Sequence, residues 1–501
     1  MSKNILFLIA DDLGKCLSSY GTKGLSTPHM DQFISQSVTF DQAFTSTASC
    51  SASRTVMYTG LHPHETGQYG LAGGNAHFQT FEHIQTGPKL FNALGYQTGI
   101  IGKVHVGPGQ VFPWEVREES GSRNVAWVAE RAEAFLDHAS ETKRPFFLTV
   151  GFIDPHRDIT TRGEFGNSET CNDTFIPPEI KPDEVEIPPW LTDVAETRIE
   201  YVEYYKAIAR LDYGVGLILD AVHRRGLDES TLVVLCSDNG PPFINSKTTL
   251  YEAGIQLPFI MRVPGSSQGI HNPNMISYID ILPTFLDWAE TQPPPPPRRL
   301  GRSFLSIVNR EDVLDEQHWQ HQVYGSHTFH EVANYWPTRF LRNRRFKYHR
   351  NIAWQLDFPF ASDLYASLTL EGIRRNHLKN DNENDTDDDV MVGSRSLRQY
   401  VRRPREELYD LETDAQEVNN LVASEAHQTI LVRMRNDLEK WQADTRDPWL
   451  LRDGQSVVAL QRYAADGLKM PNKADFVLDS VAYSRMKQYR VDDPALLRSE
   501  E

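Results

Sequence analysis

At 501 residues the chain is longer than a single hydrophobic core usually serves, so one large domain and a smaller one are expected. Its 40% hydrophobic and 24% charged residues are those of an ordinary soluble globular protein. The net charge of −17 argues against a nucleic-acid or anionic-membrane partner, and a small anionic substrate would need a local cationic pocket to override the global field. Four cysteines, Cys16, Cys50, Cys171 and Cys236, are too few for a disulfide framework in a chain this long. None has C-x-x-C spacing, and Cys16 and Cys236 read as structural thiols.

The chain opens with Met1-Ser2-Lys3-Asn4 and passes straight into Ile5–Ala10, a run of six apolar residues that ends at Asp11-Asp12. Six are too few for a signal-peptide core, and no stretch approaches a transmembrane span. With Met1 as the true start the expectation is a cytoplasmic protein, and a lysosomal or secreted one only if the N-terminus is truncated. The sequons at Asn172 and Asn384 are then silent. Phe146–Val150 is a second apolar run, leading to Asp154-Pro155-His156. Tyr201–Arg225 carries helical spacing and stops near Gly226. Thr231–Leu235 is a third apolar run, ending at Ser237-Asp238-Asn239-Gly240. Short continuous runs of this kind read as strands buried on both faces, and with intervening helices they predict a large α/β fold with a mixed, mostly parallel sheet flanked by helices. Pro293–Pro297 reads as a stiff spacer topping a surface loop, and the acidic run 381–389 as a solvated loop. The last third is richer in short strands and charge, which suits a smaller α+β domain.

In open α/β sheets ligands bind beyond the carboxyl ends of the strands, where the three polar clusters fall. Asp11, Asp12, Asp238 and Asn239 together would repel one another unless a cation compensates them, and an all-oxygen set favours calcium or magnesium. Taken singly, Asp-Asp and Asp-Asn-Gly are also common caps and turns.

The stretch Cys50-Ser51-Ala52-Ser53-Arg54 resembles the signature C-x-(P/A)-x-R of the formylglycine-dependent (type I) sulfatases of the alkaline phosphatase superfamily. More of that family's pattern follows in order: Lys103-Val104-His105, then Asp154-Pro155-His156, then Asp238-Asn239-Gly240 with Lys247, Glu252-Ala253-Gly254 and Pro258. Ile279–Thr284 and Glu407–Asp410 resemble structural landmarks of the family. Asp154–Arg157, His330-Glu331-Val332, Phe358-Pro359-Phe360 and Asp447-Pro448-Trp449 are similar to the sulfamidase (N-sulfoglucosamine sulfohydrolase) group within it.

The resemblance implies an alkaline phosphatase-like fold, with a catalytic domain over 1–350 and a smaller C-terminal domain with an antiparallel sheet over 351–501. It also implies that Cys50 is oxidised by a maturation enzyme to formylglycine, whose hydrate attacks sulfur with one hydroxyl and expels sulfate with the other. One divalent metal, calcium by the resemblance, would be held by Asp11, Asp12, position 50, Asp238 and Asn239. Arg54 would brace the diol, and Lys103 and Lys247 would bind sulfate oxygens. His105 would orient or deprotonate the diol and His156 would protonate the leaving group. Asp154, Arg157, His330 and Glu331 would line the sugar pocket of a small sulfated substrate. His62, His64 and His321 read as structural, His64 being the strongest candidate exception. A homodimer is implied as well. Ala52 stands where most eukaryotic sulfatases carry proline, which bears on the maturation enzyme. Two alternatives stay open: a phosphonate or phosphate monoester hydrolase on the same fold, and a non-catalytic anionic-sugar-binding protein if Cys50 is unmodified.

Overall fold

The first apolar run forms β1 (Asn4–Ala10), every residue of which is buried. Its side chains alternate: Leu6, Leu8 and Ala10 enter one hydrophobic layer and Ile5, Phe7 and Ile9 the other. Burial on both faces is why the sequence is apolar throughout rather than alternating. Each fully buried Leu, Ile or Phe contributes about 1.5–3 kcal/mol. The computed structural model describes residues 3–168, 175–291, 299–379 and 390–450. Cys171, both sequons, Pro293–Pro297, the acidic run and residues 451–501 lie outside the described residues.

With β2 (Val38–Phe44), β3 (Gln97–Gly102), β4 (Val116–Glu119), β5 (Phe146–Gly151), β6 (Thr231–Ser237), β7 (Phe259–Arg262) and β8 (Ile270–Ser277), β1 builds an eight-stranded sheet of order β4-β3-β5-β1-β6-β7-β2-β8. Only β7 runs against its neighbours, β6 and β2, and every other pairing is parallel. The helices Val125–Thr142 and Ala195–Arg224 cover one face; Cys50–Thr59 and Ile281–Trp288 cover the other. Cys236 is packed in the second layer, as a structural thiol would be. The long helix begins at Ala195, before the expected Tyr201, and the chain leaves it through Gly226 at φ 63°.

A second, antiparallel sheet has the order β14-β11-β10-β9, built from β9 (Gln322–His327), β10 (Thr338–Asn343), β11 (Phe346–Asn351) and, after the short ribbon β12 (Met391–Val392) and β13 (Arg395–Ser396), β14 (Glu406–Asp410). Leu341, Tyr348 and Leu408 of this sheet bury against Leu431, Met434, Leu438 and Trp441 of the helix Gln428–Asp444. An antiparallel sheet was expected after residue 350, yet three of its four strands begin before that point. The β10–β11 hairpin and the β9–β10 pairing form one hydrogen-bonded unit, so the sheet starts at Gln322.

Candidate active site

Four adjacent strands, in the order β3-β5-β1-β6, carry the polar clusters at their carboxyl ends. Asp11 and Asp12 follow β1, with Asp12 in the left-handed region at φ 62°. Asp238 and Asn239 follow β6, and the Asp12 N–H donates to Asp238 Oδ1 at 3.1 Å. Lys103 and His105 follow β3, and His156 follows β5. The turn out of β3 depends on glycine. Gly102 sits at φ 84°, where a Cβ would meet the Gly151 carbonyl at 2.2 Å, and a Cβ on Gly151 would meet the Lys103 carbonyl at 2.2 Å. That close approach presents the Lys103 carbonyl to Arg54, whose Nη1 donates to it at 3.2 Å.

Cys50 is the first residue of its helix, because the chain is extended as far as Ser49. Arg54, one turn on and fully buried, donates from Nε to Asp238 Oδ2 at 2.8 Å. Ligand atoms of Asp11, Asp12, Cys50 and Asp238 all lie within 4.8 Å of one another, and all four residues are buried. Lys103 pairs with Asp11 Oδ2. Lys247, with no exposed surface, reaches Asp12 Oδ2 at 2.9 Å and His156 Nε2 at 3.1 Å. Lys103, Lys247 and Arg54 are the local cations that the net charge demanded.

The charge state of this cluster suits a cation. Burial and the neighbouring Asp11 push the Asp238 carboxyl up to about 7 despite Arg54. Burial would raise Asp11 too, but Lys103, His156, Arg54 and Lys247 together hold it well below the usual carboxylate range. Two buried acceptors, Asp11 Oδ1 and Asn239 Oδ1, have no hydrogen-bond partner. Orphaned oxygens beside three crowded carboxylates are what a hard divalent ion satisfies, so the residues fit one. Burial, reinforced by Asp11, raises the Cys50 thiol well above its ordinary value. That is the opposite of what a cysteine thiolate nucleophile needs.

The sulfatase family model matches residues 3–291, and the model for the N-sulphoglucosamine sulphohydrolase C-terminal region matches residues 244–357. The chain belongs to the sulfatase family. It is 34% identical over 470 residues to the human N-sulphoglucosamine sulphohydrolase, covering 89% of this chain and 91% of that protein. An ulvan-active sulfatase of Formosa agariphila is 25% identical over 447 residues, covering 87% and 79%. The fold is shared with a solved protein bound to its substrate D-glucosamine-2-N,6-O-disulfate, at a TM-score of 0.63 and 18% identity, covering 89% of this chain and 99% of that one. The protein is therefore an enzyme of the sulfatase class, a hydrolase of sulfate esters or sulfamates.

Two expected sugar-pocket residues of this sulfatase are engaged inside the fold instead. Asp154 is buried between arginines: Arg210 donates to both of its oxygens at 2.7 Å, and Arg123 to Oδ1 at 2.8 Å. Arg157 makes a bidentate pair with Glu200 at 2.6 and 2.8 Å and donates from Nε to the Pro242 carbonyl. It also stacks 4.6 Å from the Phe243 ring. Three of its five N–H donors are engaged, one on each nitrogen, and the side chain is buried. Glu331 accepts from the backbone N–H of Ser362 at 3.1 Å and from its hydroxyl, so it fastens the segment that carries Asp363. His330 is buried and pairs through Nδ1 with the Ser49 hydroxyl at 2.9 Å, directly before position 50. His62 and His64 are buried under Trp441, with both ring nitrogens of each engaged, and they join the two sheets.

One member of the site was not anticipated. Asp363, on the short helix Ser362–Tyr365, places Oδ2 2.9 Å from Lys247 Nζ. Its ligand atom also lies within 4.8 Å of those of Asp12 and His156. The available signal was its position three residues after Phe358-Pro359-Phe360, a stretch already singled out.

Proposed function

We propose that this sulfatase hydrolyses the N-sulfate of a glucosamine unit, using formylglycine at position 50 and calcium. The observation that carries the reading is Cys50 at the start of its helix, set among Asp11, Asp12 and Asp238 with Arg54, Lys103 and Lys247 around them. The likeness to the human N-sulphoglucosamine sulphohydrolase across 89% of the chain supports the choice of substrate.

A buried thiol kept protonated is a poor nucleophile, whereas an aldehyde formed from it by the maturation enzyme hydrates to two hydroxyls. One hydroxyl oxygen bonds to sulfur while the S–N bond breaks. The second then gives up its proton as the C–O bond to sulfate breaks, which restores the aldehyde and releases sulfate. Calcium, when bound by Asp11, Asp12, Asp238 and Asn239, supplies positive charge that acidifies the hydroxyl and polarises the sulfuryl group.

The protein's own groups do the rest. Lys103 holds a sulfuryl oxygen, Lys247, whose three N–H groups are taken by Asp12, His156 and Asp363, supplies fixed positive charge beside it, and Arg54 fixes Asp238 behind position 50. The His156 ring must carry its proton on Nδ1, because its partner at 2.7 Å is the Arg157 carbonyl, which only accepts. Nε2 is therefore an acceptor facing the Lys247 ammonium at 3.1 Å, and this pair is the proton source for the departing nitrogen. His105, whose Nδ1 has no partner, takes the proton from the diol.

The test is release of sulfate and free amine from N-sulfoglucosamine, measured beside glucosamine 6-sulfate and a phosphonate monoester. Fastest turnover of the N-sulfate is expected. Preference for the phosphonate would replace the reading with a phosphonate hydrolase, and binding without any turnover with an anionic-sugar-binding protein.

A further inference from the structure

Around position 50 the carboxylates of Asp11, Asp12 and Asp238 are balanced one for one by Arg54, Lys103 and Lys247. Asp363 adds one more negative charge, and it comes from a part of the chain remote from the eight-stranded sheet. Its placement is firmly built. Ser362 is tied by its N–H and hydroxyl to Glu331, and Asp363 Oδ1 accepts from the Leu364 N–H at 2.9 Å. Oδ2 accepts at 2.9 Å from Lys247, the same ammonium that Asp12 holds at 2.9 Å. The side chain is only 8% exposed. Burial would raise this carboxyl, but Lys247, helped by His156 and His330, holds it well below the usual carboxylate range, so it is charged.

We propose that Asp363 is a specificity-determining residue that sets the charge of the anion site, offsetting Lys247 so that the pocket favours a monoanionic sulfuryl group over a tetrahedral dianion. The inference rests on the sulfohydrolase reading above. Sulfate esters and sulfamates carry one negative charge at neutral pH, whereas a phosphate monoester carries nearly two and inorganic sulfate two. The three share size and shape, so contacts alone separate them poorly while charge separates them well. Asp363 and Asp12 oxygens lie within 4.8 Å of each other, as do those of Asp12 and the Cys50 sulfur. Over such distances, at an effective dielectric of about 20, one unit charge changes the binding of another by about tenfold or more. A dianion feels that change twice. Asp363 thereby disfavours phosphate esters and hastens departure of the sulfate product.

The experiment is calorimetric binding of two probes that are not turned over, inorganic sulfate and methanesulfonate, to the full calcium-loaded chain. Asp363→Asn should tighten sulfate at least about tenfold more than methanesulfonate, while Asp363→Glu keeps the original ratio. An unchanged ratio in Asp363→Asn, or the same shift in both variants, would overturn the proposal, since a purely packing role alters both probes alike. Should Asp363→Asn not fold, the unaltered protein decides: it must bind methanesulfonate at least as tightly as sulfate, and the reverse order by tenfold overturns the proposal. Binding is read without turnover, so a failure of the substrate reading leaves this test intact and is seen separately in the N-sulfoglucosamine assay.

Discussion

His64, on the short helix Pro63–Thr66, joins that turn to the second sheet and to the end of the helix Gln428–Asp444, and its burial makes that joint sensitive to acid. Nδ1 pairs with Ser326 Oγ at 3.0 Å and Nε2 with Thr445 Oγ1 at 2.9 Å, and the ring is 4% exposed. Burial lowers its pKa from 6.5 to about 4, with Asp447 opposing and Arg339 adding to the shift. Between those values the unfolded ring is protonated while the folded ring is not, so the unfolded chain binds more protons. The contribution to stability is complete above pH 6.5 and is lost as pH falls through about 4. A shift of this size corresponds to about 3 kcal/mol at ~1.4 kcal/mol per pH unit. His62 is displaced in the same direction by burial and by His64. Glu65 acts the other way: burial pushes it up to about 8, so its contribution is present at low pH and is lost as pH rises. Comparing wild type with His64→Gln cancels Glu65 and the burial of His62, and leaves His64 with its effect on His62. Urea unfolding from pH 4 to pH 7.5 should show the variant less stable at neutral pH, with a gap that closes by about 3 kcal/mol on acidification. Parallel stability curves would refute the assignment of a neutral buried His64.

The remaining predictions concern the charged core. Arg54→Met leaves Asp238 buried without its cationic partner and should cost about 3–5 kcal/mol in chemical denaturation. A loss below about 1 kcal/mol would show that Arg54 does not support that carboxylate. Chelation should lower the melting temperature and calcium should restore it, because Asp11, Asp238 and Asn239 regain a shared partner; at a free ion concentration of 100 times Kd the gain is about 2.7 kcal/mol. A melting temperature indifferent to both treatments would contradict a resident cation.

The sheet was legible because its signal is local: Ile5–Ala10, Phe146–Val150 and Thr231–Leu235 are short, mostly apolar runs, each followed by polar residues. The same punctuation placed Asp11, Asp12, Asp238, Asn239 and His156 at one sheet edge. What a side chain does there depends on partners far away in sequence, and these the chain does not advertise. Asp154 and Arg157 stand in a histidine motif, but Arg210 and Glu200 on the long helix, with Arg123, determine that both face inward. Asp363 looks like an ordinary helix-start aspartate until the fold brings Lys247, 116 positions earlier, beside it. The start of the second sheet was misjudged for a related reason. β9 to β11 are short and rich in charged and polar residues such as Arg339, Arg342, Lys347 and Arg350, whose buried ion pairs form only in the assembled structure.

Hydrolysis by this protein turns on the chemical state of position 50. Peptide mass spectrometry of protein made with its own maturation enzyme should find the Cys50 peptide lighter by about 18 Da, the change from thiol to aldehyde that the nucleophile requires. An unmodified thiol throughout an active preparation would contradict it.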